Sequence, residues 1–215
     1  MRVTKFSHAC LRFEHDGGVL VIDPGAWSER DALDGADAVL ITHEHGDHLD
    51  VDALTDALGK QPSMRVFAPA EVVAKLADLP GSVTAVGPGQ RLDAAGLPVR
   101  VYGGLHAIIH PDLPRVANLG YLVSDPDSGA AVYHPGDSFD VPADAGVDAL
   151  FVPVSAPWLK MSEAIDFTRQ VAPRRSYALH DGLSNDNGLS LVTTLMNRLS
   201  GTEFARLEPG QRFEV

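Results

Sequence analysis

The segment Thr42-His43-Glu44-His45-Gly46-Asp47-His48 gathers three imidazoles and an aspartate carboxylate into one short stretch. Imidazole and carboxylate are ligands that zinc, manganese and iron all accept. A histidine-rich turn can be plain solvated loop. This one follows the apolar run Ala38-Val39-Leu40-Ile41 directly, and the end of a strand is where active-site loops belong. The spacing also has a geometry. Alternate residues of extended backbone share a face, so His43 and His45 point the same way and can grip one ion. Asp47 keeps that phase, but Gly46 permits a sharp turn that frees Asp47 and His48 for a second ion. Two ligands hold neither ion well, so the remaining donors must come from farther along the chain.

The elements that must position these groups can be read from periodicity. Short apolar, β-branched runs recur at 19–22, 39–41, 66–68, 99–102, 119–123, 130–133, 150–154 and 176–179, punctuated by Gly, Pro and Asp. Helical spacing appears at 51–58, 70–76, 162–171 and 189–199. The first of these, through Val51, Leu54 and Leu58, would fix the His-rich turn against the core. Ser162 is the expected N-cap of the third, and Pro173 its stop. Segments 111–114 and 181–188 look like surface loops, and His15, beside Asp16-Gly17-Gly18, is expected in an exposed hairpin turn. Strands dominate the first two thirds, with helices between and after them. The pattern predicts an α/β fold in which two sheets pack face to face with helices outside, a four-layer αββα sandwich. No linker divides the chain, so residues 1–215 are read as a single domain.

Further donors stand where this reading puts strand ends. His106 follows the run at 99–102 through Gly103-Gly104-Leu105, Asp137 follows the run at 130–133, and His180 follows the run at 176–179. His43, His45 and His106 then form one set and Asp47, His48 and His180 the other. Asp137, with two oxygens, is able to bridge. His106 and His110 compete for the third histidine place. His106 is preferred because it comes first after the strand, which leaves His110 to line the entrance or simply to be solvated. His134 is either a partner that orients a ligand or a packed strand histidine, and Asp23 is expected to buttress the ligand loop. Trp158 and Lys160 follow a strand-to-helix loop that can face the pocket, and they join the substrate-contact candidates, with a surface Lys beside a half-buried Trp as the alternative.

Composition frames the chemistry. The chain has 215 residues, 45% of them hydrophobic, enough for a substantial core. No apolar run approaches the ~18 residues of a membrane span. The start, Met1-Arg2-Val3-Thr4-Lys5-Phe6, lacks an apolar secretory segment. The single cysteine, Cys10, excludes an internal disulfide, reads as core, and fits the reducing cytoplasm. A formal charge of −12 without a Lys/Arg run argues against a nucleic-acid partner. Self-association is left open.

The order of motifs resembles the metallo-β-lactamase fold superfamily. The residues that carry the resemblance are Asp23-Pro24, His43-x-His45-x-Asp47-His48, His106, Gly136-Asp137 and a late His180, spanning Phe6 to Ser184. Within it, Phe6-Ser7-His8-Ala9-Cys10 looks like the Gly-His-Ser-Cys opening of small bacterial metal-dependent hydrolases, with Ser7 in place of Gly. That group is similar to ascorbate-6-phosphate lactonase and, more distantly, to N-acyl phosphatidylethanolamine phospholipases. By this likeness His8 reaches the substrate, a core role being the alternative.

The expected activity is hydrolysis of a small ester, lactone or phosphodiester. Two divalent transition-metal ions, zinc first and manganese or iron also suited, would supply a metal-bound hydroxide, with Asp47 accepting a proton. No Gly-x-Ser-x-Gly elbow competes. The alternatives are a nuclease or phosphodiesterase of the same fold, a diiron redox protein, and a non-enzymatic metal-binding module. Resemblance implies that the redox relatives carry Glu where this chain has His45.

Overall fold

Leu11, Phe13, Leu20 and Ile22 project inward from one hairpin, where they meet Val99, Val101, Tyr121 and Phe151 from the opposite side. This packing of two inner faces defines the molecule in a computed structural model that describes residues 1–79 and 82–215. Along the first half run β1 (Arg2–Lys5), β2 (Leu11–His15), β3 (Gly18–Ile22), β4 (Ala38–Leu40), α1 (Val51–Lys60), β5 (Arg65–Ala68), α2 (Ala70–Lys75) and β6 (Ser82–Ala85). There follow β7 (Arg91–Ala94), β8 (Leu97–Leu105), β9 (Ala117–Ser124), β10 (Ala131–His134) and β11 (Ala149–Pro153). The chain closes with α3 (Met161–Val171), β12 (Arg175–Leu179), α4 (Asp186–Leu199), β13 (Glu203–Ala205) and β14 (Arg212–Glu214).

The strands form two sheets, ordered β14-β1-β2-β3-β4-β5-β6 and β13-β12-β11-β10-β9-β8-β7. Both are mixed: β3 to β6 are parallel in the first, and β10 to β13 in the second. Outside the first sheet, Leu54 and Leu58 of α1 and Val72 of α2 cover Val21, Val39 and Val66. Outside the second, Ala164, Ile165 and Phe167 of α3 and Met196 of α4 cover Leu150, Val152 and Ala178. The four-layer αββα sandwich is therefore present. Among the described residues, no helix is long and apolar enough to cross a membrane.

Strand direction explains why the rim is chemically rich. In the second sheet β8 is antiparallel to β9 and β9 to β10, so β8, β10, β11 and β12 all end at the same edge. In the first sheet β1, β3 and β4 share a direction by the same logic. Two hydrogen bonds join the sheets there: Leu119 N donates to Thr42 O at 2.9 Å, and Tyr121 Oη donates to Ile41 O at 2.8 Å.

Three local expectations are corrected. Helix α3 begins at Met161 after Lys160, which makes no side-chain cap, so Ser162 lies inside the helix. Met161 packs against the outer core and draws the start forward. Helix α4 starts at Asp186 because the Asn185 side chain accepts Gly188 N at 3.0 Å, so the loop after His180 is shorter than 181–188. His15 is the last residue of β2 with its side chain only 12% exposed, its Nε2 3.7 Å from Asp127. The end of α3 agrees with expectation, since Ala172 caps it at φ 49° just before Pro173.

Candidate metal centre

The ligand loop is shaped before any ligand is considered. Asp50 caps α1 by accepting Ala53 N at 2.9 Å, and His48 N and Leu49 N both donate to His45 O at 3.0 Å. These bonds close the turn that Gly46 permits. The segment after β3 presses on it, with Ala26 N donating to Gly46 O at 2.8 Å. A Cβ on Gly25 would stand 1.8 Å from Asp47 O, so only glycine allows this approach.

The donors gather in overlapping groups, each with its ligand atoms within 4.8 Å of one another: His43, His45 and His106; His8, Asp47, His48 and His180; and His43, His48 and Asp137. Asp137 lies at the junction. Its Oδ1 is 3.1 Å from His48 Nε2, and its Oδ2 is 3.3 Å from His106 Nε2 and 3.1 Å from His180 Nε2. Asp47 Oδ2 lies 3.4 Å from His180 Nε2 and 3.1 Å from His8 Nε2.

The rings of His43, His48, His106 and His180 are each oriented through Nδ1. His106 Nδ1 lies 2.6 Å from Ala107 O and His180 Nδ1 lies 2.6 Å from Ser155 O. A carbonyl only accepts, so Nδ1 carries the proton and Nε2 keeps a lone pair for the centre. His48 Nδ1 sits 2.7 Å from Asp23 Oδ2, and His43 Nδ1 sits 2.9 Å from Thr42 Oγ1. Asp23 is the hub of this outer ring, since its carboxylate also accepts Thr42 N at 2.8 Å and Thr42 Oγ1 at 2.6 Å. The buttressing role expected of Asp23 is what the geometry gives it. His134 is also a support: its Nδ1 accepts Gly136 N at 3.1 Å, and its Nε2 donates to Ala9 O at 2.8 Å. It steadies the backbone just before Asp137.

His48 Nε2, His106 Nε2, His180 Nε2 and Asp137 Oδ1 are buried, face the centre and have no hydrogen-bond partner. Buried acceptors normally have partners, and orphans of this kind are what a divalent cation satisfies. The electrostatics agree. Burial alone would raise the Asp137 carboxyl, but His48, His106 and His180 hold it well below the usual carboxylate range. Asp47 is also held low against burial, by His180 and His8. Burial alone would lower the His48 and His180 imidazoles. Asp137 and Asp23 raise the first well above its ordinary value, and Asp137 with Asp47 lifts the second to about 9. Burial dominates at His43 and keeps it neutral. The carboxylates thus demand positive charge at the centre, and this donor set fits transition-metal cations.

The other candidates divide. Trp158 is at the centre, donating from Nε1 to Asp137 Oδ2 at 3.1 Å with its ring 5.9 Å from that of His106. His8 is there too, but its side chain is fully buried, so it grips Asp47 and not open space. His110 is 61% exposed on its loop and outside the donor groups, with Asp112 N donating to its Nδ1. Lys160 stands in solvent at 79% exposure, 3.8 Å from Glu163. Burying its ammonium would cost more than that loop position returns.

Sequence reasoning missed Lys5. Its buried ammonium donates to Phe6 O, to His8 O at 2.8 Å and to Asp181 Oδ1 at 3.4 Å. Since His180 N also donates to His8 O, Lys5 ties the His8 turn to the His180 turn. Asn118 was missed as well: its Oδ1 accepts Asp137 N at 2.9 Å, and its Nδ2 donates to Pro135 O at 2.9 Å.

Residues 2–180 match the family described as Beta-lactamase superfamily domain. The chain belongs to the beta-lactamase superfamily. Among relatives of this superfamily chain, Protein Rv0786c of Mycobacterium tuberculosis is 38% identical over 95% of both chains. A UPF0173 metal-dependent hydrolase of Chelativorans sp. is 31% identical over 64% of this chain and 63% of its own. A solved structure from Parabacteroides distasonis, assigned as a metal-dependent hydrolase, superposes with TM-score 0.74 at 26% identity, covering 95% of this chain and 91% of its own. Membership agrees with the donor set, because the Chelativorans and Parabacteroides proteins are both named for metal-dependent hydrolysis.

Gly136 tests the framework. It sits at φ +62°, and a Cβ there would lie 2.3 Å from Asn118 Oδ1 and 2.8 Å from Thr42 Cβ. Gly136→Ala is expected to cost about 2–4 kcal/mol through left-handed strain and overpacking. That corresponds to a melting point lower by roughly 5–15 °C. Thermal unfolding checks this, and a melting point within 2 °C of the parent would refute it.

Proposed function

We propose that the chain is a metal-dependent hydrolase with two divalent cations, acting on a small ester, lactone or phosphodiester. The observation that carries the reading is the set of buried, inward-facing, partnerless atoms on His48, His106, His180 and Asp137. His43, His45 and His106 would hold one cation and Asp47, His48 and His180 the other, with Asp137 between them. Cations held there would make hydroxide available near neutral pH and polarise the oxygen of the group attacked.

The chain's own residues do the rest. Asp47, fixed by His8, is placed to accept the proton given up during attack. Trp158 holds Asp137 in register and narrows access by water. Zinc heads the candidate metals, with manganese and iron also suited to His/Asp donors. A cytoplasmic setting suits the one cysteine, Cys10, which is buried with its thiol pushed up to about 12. A small-molecule substrate suits the −12 charge better than a nucleic acid does.

The test is metal analysis of purified protein, followed by a panel of esters, lactones, phosphodiesters, RNA and DNA. Up to two ions per chain and turnover of a small substrate that stops on chelation are the expected results. Metal-dependent cleavage of nucleic acid without small-molecule turnover would replace this reading with a nuclease.

A further inference from the structure

Arg115 closes the loop that begins at His106, and its Nε donates to His106 O at 2.7 Å. With His45 and His106 it lines a small cavity whose other walls include Ile109, Leu113 and Pro114. Other cations on or facing the ligand-bearing loops are engaged: Arg30 with Asp50, Lys75 with Glu44 and Lys160 with Glu163. Among the described residues, no carboxylate lies within salt-bridge distance of Arg115. Its tether uses only Nε, so the edge made by the two terminal nitrogens is left to form a paired contact with an oxyanion. Ile109 and Leu113 beside it are 40% and 52% exposed, an apolar surface that a substrate body would cover.

We propose that Arg115 is the substrate-recognition residue of this hydrolase, and that its substrate carries an oxyanion, as carboxylate or phosphate monoester, on an apolar body. The assignment rests on the hydrolase reading above and narrows its substrate class. A chain with formal charge −12 repels anions overall, so an anionic substrate requires a local cation. Tethering to the carbonyl of His106 places that cation beside the ligand set, where it sets which end of the substrate faces the centre.

The experiment compares zinc-loaded wild type, Arg115→Gln and Arg115→Lys on 4-nitrophenyl butyrate and mono-4-nitrophenyl succinate. Wild type is expected to show a KM for the anionic ester about tenfold below that for the neutral one, the value of one charged hydrogen-bond pair. Arg115→Gln should erase that gap with kcat nearly unchanged, and Arg115→Lys should keep part of it. An equal change on both esters, or no change, overturns the proposal. Binding of hexanoate, hexyl phosphate and hexanol, followed by tryptophan fluorescence, separates the two sources of oxyanion and does not need turnover. If neither ester is hydrolysed, the hydrolase reading is decided by the wider panel above, and binding still decides the role of Arg115. A selective loss of hexanoate or hexyl phosphate affinity in Arg115→Gln supports it, and equal affinity in both proteins refutes it.

Discussion

Asp137→Ala is expected to lower kcat/KM by at least about a thousandfold, and to reduce bound metal from two ions per chain to one or none. The loss follows from position. Among the described residues, Asp137 is the one carboxylate that faces His106 on one side and His48 and His180 on the other. Removing it would strip charge from both proposed cation positions, and several kcal/mol of transition-state stabilisation would disappear at about 1.4 kcal/mol per decade of rate. Trp158 Nε1 loses its acceptor at the same time. Metal analysis beside steady-state kinetics checks the result. Two ions retained with activity within tenfold of wild type would remove Asp137 from the bridging role.

Asp23→Ala is expected to act through stability and metal affinity together. It leaves Thr42 N, Thr42 Oγ1 and His48 Nδ1 without their carboxylate partner in a site closed to water. Unpaired buried groups of this kind cost about 3–5 kcal/mol in total. In a chain of this size, that lowers the melting point by roughly 6–20 °C. Metal affinity should fall by about 10–100-fold, because His48 is no longer held to its tautomer and direction. Calorimetry and competition with a metal chelator measure the two effects separately. A variant with wild-type melting and wild-type metal affinity would show that the ligand loop holds itself.

Much of the candidate centre was legible because His43, His106, Asp137 and His180 each lie within a few residues of the end of an apolar run. Such runs became β4, β8, β10 and β12, and their shared direction brought His43, His106, Asp137 and His180 to one rim. The strands that escaped reading are mostly those at the sheet edges: β6, β7, β13 and β14. Sequences such as Arg212-Phe213-Glu214 are short and charged, as edges must be to resist pairing with other chains. Strands β1 and β2 mix charge with apolar residues, since one face packs while the other carries Arg2, Arg12 and Glu14. The supporting ring was harder still to read. Ala107 O and Ser155 O orient two histidines through main-chain carbonyls, which have no sequence signature. Lys5 is a buried lysine, and nothing in its neighbours announces that. His110 and Lys160 stand in solvent, the blander of the two readings that the sequence left open for each.

The hydrogen bonds from Leu119 to Thr42 and from Tyr121 to Ile41 bear on the order of assembly. Each group of donors draws on both halves of the sandwich: His43 and His45 with His106, and Asp47 and His48 with His180. An ion meeting the unfolded chain finds only the local cluster at 43–48, because closing a loop out to residue 180 is entropically expensive. Full coordination therefore comes late, after the sheets have docked and those two hydrogen bonds have formed. Metal bound there would act as a rivet between halves whose mutual contacts are distant in sequence, and would slow the separation of the sheets more than it hastens their meeting.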